Sequence, residues 1–395
     1  MMSLKERLEK LKDSLRRLGY EEFVKIETAH ISGISYINIR EPGLEFLKDI
    51  EKERLKVKIL TTCNPACMCV EDLNNDSEEA KKQKEIIETL KNIGVSTWLT
   101  CIPYEHMKIR AGRYYAWSES SAVAFINSIF DAYTDKLPGP LSLISALIGE
   151  TPKTEILREE ERYPRVIVEV DNDRVLSIVE AGILGMMIGS QYRGKLEIPY
   201  VKFRRRPFTS IESLKNFLAA FATFSNCPLL IIEGISLNYV KYRERICREC
   251  KLKIDMKDIS KTLKDISTIA SLKDLDENSL IVLGCPHLSK DSVIRLIHVL
   301  NNLDFKSHIW LFTSRFNKVN TMLRRNIKVI YDTCLFVSSY IEDVRNMFDK
   351  IYTVSIKQYY YLTKRVKDLE ILILVGKEIE EMLNSVSGSF LLRDV

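Results

Sequence analysis

The sequence predicts an α/β protein of several subdomains with mostly parallel sheets. Short runs rich in Val, Ile, Leu and aromatic residues alternate with helical patterns along most of the chain, the signature of parallel strands joined by crossover helices. The composition agrees: 395 residues, 46% hydrophobic and 29% charged, are enough to bury a large core and to divide into two or three domains.

Taken in chain order, Leu4, Leu8, Leu11, Leu15 and Leu18 recur at helical spacing among Lys, Arg and Glu, which predicts an amphipathic N-terminal helix rather than the apolar core of a signal peptide. Strands are expected at 57–61 (Val-Lys-Ile-Leu-Thr), 95–100, 166–170, 229–232, 280–283, 308–312, 327–331 and 370–375. Helices are expected between them at 77–92, 119–132, 175–188, 211–224, 289–302 and 377–385. Two stretches read as boundaries: 150–164, charged and with two prolines, and 247–276, polar and lysine-rich. They predict subdomains at 1–160, 161–275 and 276–395. Neither internal repeats nor low-complexity tracts occur.

The composition argues against several classes of function. No run reaches the roughly 20 apolar residues of a transmembrane helix, so no membrane association is expected. A net charge of +5 suits an anionic small molecule without marking a nucleic-acid binder. The sharpest basic run, Arg204-Arg205-Arg206, has no accompanying series of aromatic residues and reads as a solvated loop. Nine cysteines without regular spacing, in a chain with no recognisable export signal, predict a reducing cytoplasm.

Three of those cysteines stand just past expected strands in compact polar signatures: Thr-Cys101-Ile-Pro-Tyr, Gly-Cys285-Pro-His and Asp-Thr-Cys334. Ligands of open α/β sheets gather beyond the carboxyl ends of strands, so the three thiols are expected to converge at one pole. Thiolates are the preferred protein ligands of iron–sulfur clusters, and three of them leave one iron open as a Lewis acid. Their spacing matches no zinc-ribbon or ferredoxin pattern, and taken singly each reads as a small buried core residue.

Several segments together resemble the aconitase X family. They are Ala29-His30-Ile31-Ser32-Gly33-Ile34-Ser35-Tyr36, Thr61-Thr62-Cys63-Asn64-Pro65, Ala116-Trp117-Ser118-Glu119-Ser120-Ser121-Ala122-Val123, Asn127-Ser128, Gly139-Pro140 leading to Gly149-Glu150-Thr151-Pro152, Gly284-Cys285-Pro286-His287, Thr313-Ser314-Arg315 and Asp332-Thr333-Cys334. The resemblance runs in order from about residue 29 to 385 and implies an aconitase-like catalytic core that lacks the swivelling domain. It implies a hydro-lyase resembling the large chain of archaeal two-chain members, which dehydrate (R)-5-phosphomevalonate to trans-anhydromevalonate 5-phosphate in a modified mevalonate pathway. A small subunit carrying the swivelling domain would be the partner in a heterodimer. By residue, it implies an iron–sulfur cluster of the [4Fe–4S] type on Cys101, Cys285 and Cys334, and a substrate shell of Gly33, Ile34, Ser35, Asn64, Pro65, Glu119, Ser120 and Lys357. Catalytic roles would fall to Glu119, Ser355 and Lys357.

These residue types suit the chemistry. Dehydrating a β-hydroxy acid removes a weakly acidic α-proton while hydroxide departs, and both events build charge. Backbone amides near Gly33 can approach a phosphate or carboxylate closely. Lys357 can neutralise substrate charge, and Glu119 either carries a proton or orients a partner. Two other readings stay open: a family dehydratase for another hydroxy acid, such as cis-3-hydroxy-L-proline, and a paralogue without catalysis that binds metal or a subunit.

The chain departs from the family pattern at Cys63, at Cys67-Met68-Cys69, at Tyr133-Thr134-Asp135 where Arg-Thr-Asn is usual, at Ser225-Asn226-Cys227 and at Val354. A lost arginine predicts a weaker hold on an anion. Cys63, Cys67 and Cys69 suggest either a second metal site or thiols packed in a turn, and Cys247 and Cys250 form a lone Cys-X-X-Cys. His287 either orients a ligand or is structural, and Tyr359, Tyr360 and Tyr361 read as packing residues.

Overall fold

The computed structural model describes residues 4–246 and 251–384. Cys247 and Cys250 lie outside the described residues. Three parallel sheets carry the architecture. The largest has six strands, in the order Ser267–Ile269, Glu370–Val375, Lys350–Thr353, Ser279–Leu288, His308–Thr313 and Ile327–Tyr331. A four-stranded sheet runs Ile231–Ile232, Pro199–Phe203, Val166–Asp171, Lys251–Asp255. A three-stranded sheet places Ala29–Ile31 between Thr61–Cys63 and Ala116–Trp117. One short antiparallel ladder, Phe23–Lys25 with Glu150–Pro152, closes the N-terminal region.

The central strands Val166–Asp171 and Ser279–Leu288 are buried over nearly their whole length, as expected of parallel strands covered on both faces. Helix Ile211–Phe224 is buried from Ile211 to Ala222 and packs on helices Ile178–Gln191 and Ser120–Phe130. Its contact with Ile178–Gln191 depends on the glycine face of the latter. A Cβ on Gly185 would stand 2.1 Å from the Phe217 carbonyl oxygen, so only glycine lets the backbones meet.

Strands at 327–331 and 370–375 and the helix at 211–224 have the expected bounds. Four expectations need correction. Segment 95–100 is not a strand: it runs beside Thr61–Cys63, with Ser96 N–H donating to the Thr61 carbonyl, but Leu99 takes φ 52, which no extended strand accommodates. Segment 57–61 pairs only from Thr61 onward, as Thr61–Cys63. The boundary at 247–276 holds a strand, Lys251–Asp255, and a helix, Met256–Ile266, whose charge belongs to an exposed face. Leu18 is 74% exposed because the N-terminal helix, Leu4–Arg17, stops one residue before it.

Candidate active site

A cavity of about 320 Å³ opens where the three-stranded and six-stranded sheets face each other. The turn Ser32–Gly33–Ile34–Ser35, which follows strand Ala29–Ile31, forms one side. Asn64 and Pro65, after Thr61–Cys63, and Ser118, Glu119 and Ser120, after Ala116–Trp117, continue the same wall. All three lie beyond carboxyl ends of parallel strands, where open sheets bind ligands. The facing wall carries Cys285 and Cys334 from the six-stranded sheet and Lys357 from helix Ile356–Arg365.

Cys101, Cys285 and Cys334 all line this cavity. Each arrives there differently. Leu99, in its left-handed conformation, breaks the extended run before Cys101, while Thr100 N–H still donates to the Cys63 carbonyl at 3.1 Å. Cys285 lies inside strand Ser279–Leu288 rather than past it, at a break in register between Leu283 and Leu288. Gly284 makes that break possible: its φ is 112, and a Cβ there would meet the Phe312 carbonyl oxygen at 2.1 Å. Cys334 follows strand Ile327–Tyr331 after Asp332, which also has positive φ.

The donor set fits an iron–sulfur cluster. All three are free thiols. Burial pushes each of them up, Cys334 to about 12 and Cys101 well above its ordinary value, so a thiolate at either position needs cationic compensation. Cys101 Sγ already accepts a backbone N–H from His287 at 3.3 Å. Among the described residues, the trio of His, Cys, Asp or Glu with all ligand atoms within 4.8 Å of one another is Cys69, Glu71 and Asp332. The three cavity thiols do not form such a trio, and as sulfur donors they are of the type that holds iron–sulfur clusters.

Glu119 is held by four groups. Lys357 Nζ donates to Oε1 at 2.6 Å, Ser121 Oγ donates to Oε1 at 2.8 Å and its N–H at 3.4 Å, and Asn64 Nδ2 donates to Oε2 at 2.6 Å. Burial alone would raise this carboxyl, but Lys357 and the hydrogen bonds outweigh it and hold the group at about 2. Burial likewise opposes the charge on Lys357, and Glu119 more than restores it, so the ammonium is kept protonated. Behind Asn64 stands His30: Nε2–H donates to Asn64 Oδ1 at 2.8 Å and Nδ1 accepts from Thr62 Oγ1 at 2.7 Å, the tautomer that these partners dictate. Buried in full, His30 is pushed down to about 4 and stays neutral.

Every residue of the expected substrate shell lines the cavity: Gly33, Ile34, Ser35, Asn64, Pro65, Glu119, Ser120 and Lys357. Ser355 does not. It caps helix Ile356–Arg365, accepting from Gln358 N–H at 3.2 Å, and its hydroxyl bonds the Cys285 thiol. Ser35 Oγ is engaged with the Val337 carbonyl at 2.7 Å, which leaves its backbone facing the cavity. Residues not anticipated also line it, notably Asn38, Phe336 and Tyr361, the last two with ring centroids 4.7 Å apart. Tyr361 had read as packing. Its position one helical turn after Lys357 was the signal that could have placed it.

None of the residues that depart from the family pattern lines the cavity. Tyr133 packs under the guanidinium of the fully buried Arg162, 4.0 Å from its ring centroid, and Asp135 pairs with Lys195 at 2.6 Å. Cys63 and Cys67 are fully buried core residues, and Cys69 donates to Glu71. Asp332, the third member of that trio, is already gripped bidentately by Arg315 at 2.6 Å through each oxygen. A wider groove of about 1010 Å³ is lined by Glu71, Asp72, Asp76, Glu79, Glu342 and Asp343 against only Arg40 and Arg365, a net negative lining that disfavours an anion.

Parallel sheets whose strand ends bring three thiols and a buried Glu–Lys pair into one cavity define an enzyme of aconitase-like architecture. The chain belongs to the aconitase X family: models of its first, second and third domains match residues 4–160, 164–264 and 278–373. It is 31% identical to the phosphomevalonate dehydratase large subunit of Methanocaldococcus jannaschii, over 92% of this chain and 91% of that protein. It is 30% identical to the protein of the same name from Thermococcus kodakarensis, with 90% of each covered. The cis-3-hydroxy-L-proline dehydratase of Pseudomonas aeruginosa is 27% identical over 55% of this chain and 38% of its own length. Among solved structures, the holo-form of Thermococcus kodakaraensis aconitase X superposes with a TM-score of 0.80 at 28% identity, covering 96% of this chain and 95% of that one.

Proposed function

We infer that the chain is the large subunit of a hydro-lyase that dehydrates (R)-5-phosphomevalonate to trans-anhydromevalonate 5-phosphate. The observation that carries this reading is the single cavity lined by the three thiols and by all eight residues of the expected substrate shell. The placing of every family departure outside that cavity favours the substrate of the relatives matched along most of their length over that of the hydroxyproline enzymes.

Cys101, Cys285 and Cys334 would hold the cluster, of the [4Fe–4S] type. Bound there, it supplies Lewis-acid chemistry at the iron that no thiolate of this chain occupies. The chain's own residues bind and orient. Backbone amides of 33–35 and the Ser120 hydroxyl meet anionic oxygens, and Lys357 places a fixed positive charge opposite them. Glu119, ionised near neutrality and with a carboxyl held at about 2, is a feeble base. Its work is to fix Lys357 and Asn64 at the angles the substrate meets. Ser355, bonded to Cys285, acts through that thiol as a positioning residue.

Lys357 is the only cationic side chain among the described residues lining the cavity, and Glu119 already neutralises it. A substrate with both a carboxylate and a phosphate needs more positive charge than that. The deficit supports a two-chain site in which the small subunit supplies further cations and the proton-abstracting base.

The test is anaerobic co-expression with a small subunit of this family, followed by iron and sulfide analysis and an assay for the unsaturated acid formed from 5-phosphomevalonate. Iron-loaded, active complex is expected, with the large chain alone far less active. An iron-free complex would overturn the reading, and an iron-loaded complex inactive on this substrate but active on cis-3-hydroxy-L-proline would reassign it.

A further inference from the structure

The three cysteines come from separate stretches of chain, and one buried residue on the stretch of Cys285 is hydrogen-bonded to the stretches that carry the other two. His287 is fully buried. Its backbone N–H donates to Cys101 Sγ at 3.3 Å. Its ring Nε2 lies 2.8 Å from the Thr333 carbonyl, one residue before Cys334. A carbonyl only accepts, so Nε2 carries the proton and Nδ1 is left to accept from Thr100 Oγ1 at 3.2 Å, one residue before Cys101. His287 itself stands two residues after Cys285.

The histidine is fixed from behind by a buried ion cluster. Lys215 Nζ, on helix Ile211–Phe224, donates to the His287 carbonyl at 2.7 Å and pairs with Glu105 at 2.9 Å and Glu212 at 3.0 Å. Glu105 belongs to the loop that carries Cys101, and Glu212 accepts the Ser289 N–H at 2.9 Å from the segment that carries Cys285. Both ligand-bearing segments are therefore tied to the same lysine.

We propose that His287 is a positioning residue that holds the Cys101, Cys285 and Cys334 segments at one fixed separation, with Lys215 fixing His287 in turn. The inference rests on the reading of these cysteines as cluster ligands. In its neutral Nε2–H form the ring has one donor and one acceptor, each matched to the residue before a cysteine. Its peptide N–H adds a hydrogen bond to a ligand sulfur, the kind of outer partner that sets ligand orientation and cluster electronics. No other standard side chain of this size offers a donor and an acceptor on opposite sides of a rigid ring.

The test uses the full chain purified without oxygen, with iron and sulfide content, visible absorption and the rate of iron loss to a ferrous chelator as readouts. His287→Gln is expected to release iron about 10–100-fold faster than the unaltered chain, with an altered absorption band. Thr100→Val removes the Nδ1 partner, together with the acceptor of the Ile102 N–H at 3.3 Å, and is expected to release iron several-fold faster while the iron-free chain stays folded. It decides the question if His287→Gln does not fold. Cys285→Ser separates the two layers of the argument: iron retained by that variant, or an iron-free unaltered chain, overturns the ligand reading beneath the proposal. If Cys285→Ser loses iron while His287→Gln and Thr100→Val both release it at the unaltered rate, the ligands stand and the positioning role falls.

Discussion

Glu119 is the most heavily engaged side chain of the cavity, and its pair with Lys357 is largely withdrawn from water, at 12% and 14% side-chain exposure. Removing one member leaves an unpaired charge in a low-dielectric pocket. Lys357→Met is expected to lower stability by about 3–5 kcal/mol and to abolish turnover, whereas the double change Lys357→Met with Glu119→Gln recovers much of the stability and none of the activity. Urea melts of both variants beside the unaltered chain check it. The same environment sets two acid limits. Glu119 has a folded value of about 2, below the unfolded carboxyl near 4.3, so its contribution is complete above about pH 4.3 and is lost as pH falls toward 2. His30, at about 4 in the fold against roughly 6.5 unfolded, makes the protein lose stability from about pH 6.5 down to pH 4, by roughly 3 kcal/mol. His30→Gln should flatten that limb in denaturant melts taken between pH 7 and pH 4, and an unchanged slope would show that the ring is not held neutral.

Among the elements, the contact between helices Ile178–Gln191 and Ile211–Phe224 supports the site from the middle of the chain, because Lys215 extends from the second of them. Gly185→Ala raises helix propensity yet forces a Cβ onto the Phe217 carbonyl, and the clash should win, costing about 1–3 kcal/mol in thermal or urea melts. Strands 327–331 and 370–375 were legible as short runs rich in β-branched and aliphatic residues, and both have the expected bounds although neither is buried throughout. Segment 95–100 is also rich in residues that favour strands and is no strand, because one residue in the left-handed region breaks it, and nothing in Val-Ser-Thr-Trp-Leu-Thr announces that Leu99 will be that residue. Helix Tyr36–Lys52 was not among the expected helices: it carries Pro42 and Gly43 inside it, and the chain accommodates them with a kink at Arg40, φ 48.

For the whole molecule, the candidate site exists only where distant segments meet. Its individual residues were legible from motif resemblance, but the network behind them was not: His30, Thr62, Lys215 and Glu105 act through partners 30 to 110 positions away in sequence. Seams between sheets are similarly sparse. Ala66 N–H donates to the Asp332 carbonyl at 2.8 Å, and Thr333 Oγ1 donates to the Ala66 carbonyl at 2.7 Å, joining the turn after Thr61–Cys63 to the segment before Cys334. Thr333→Val should weaken that seam by about 1–3 kcal/mol. Faster amide exchange is expected on both sides of it, around residue 66 and around residue 333. Exchange confined to the substituted segment would mean that the two sides are not mechanically joined.

The cysteines at 101, 285 and 334 also bear on how the protein is manufactured. A nascent chain carries only the first of the three thiols until residue 285 is added and lacks the last until residue 334 has been added. No ribosome-bound fragment shorter than that can present the full set, so any group that needs all three thiols can be taken up only once residue 334 has been made. The exposed Gly33 and Asn38 at the cavity's edge mark the way in.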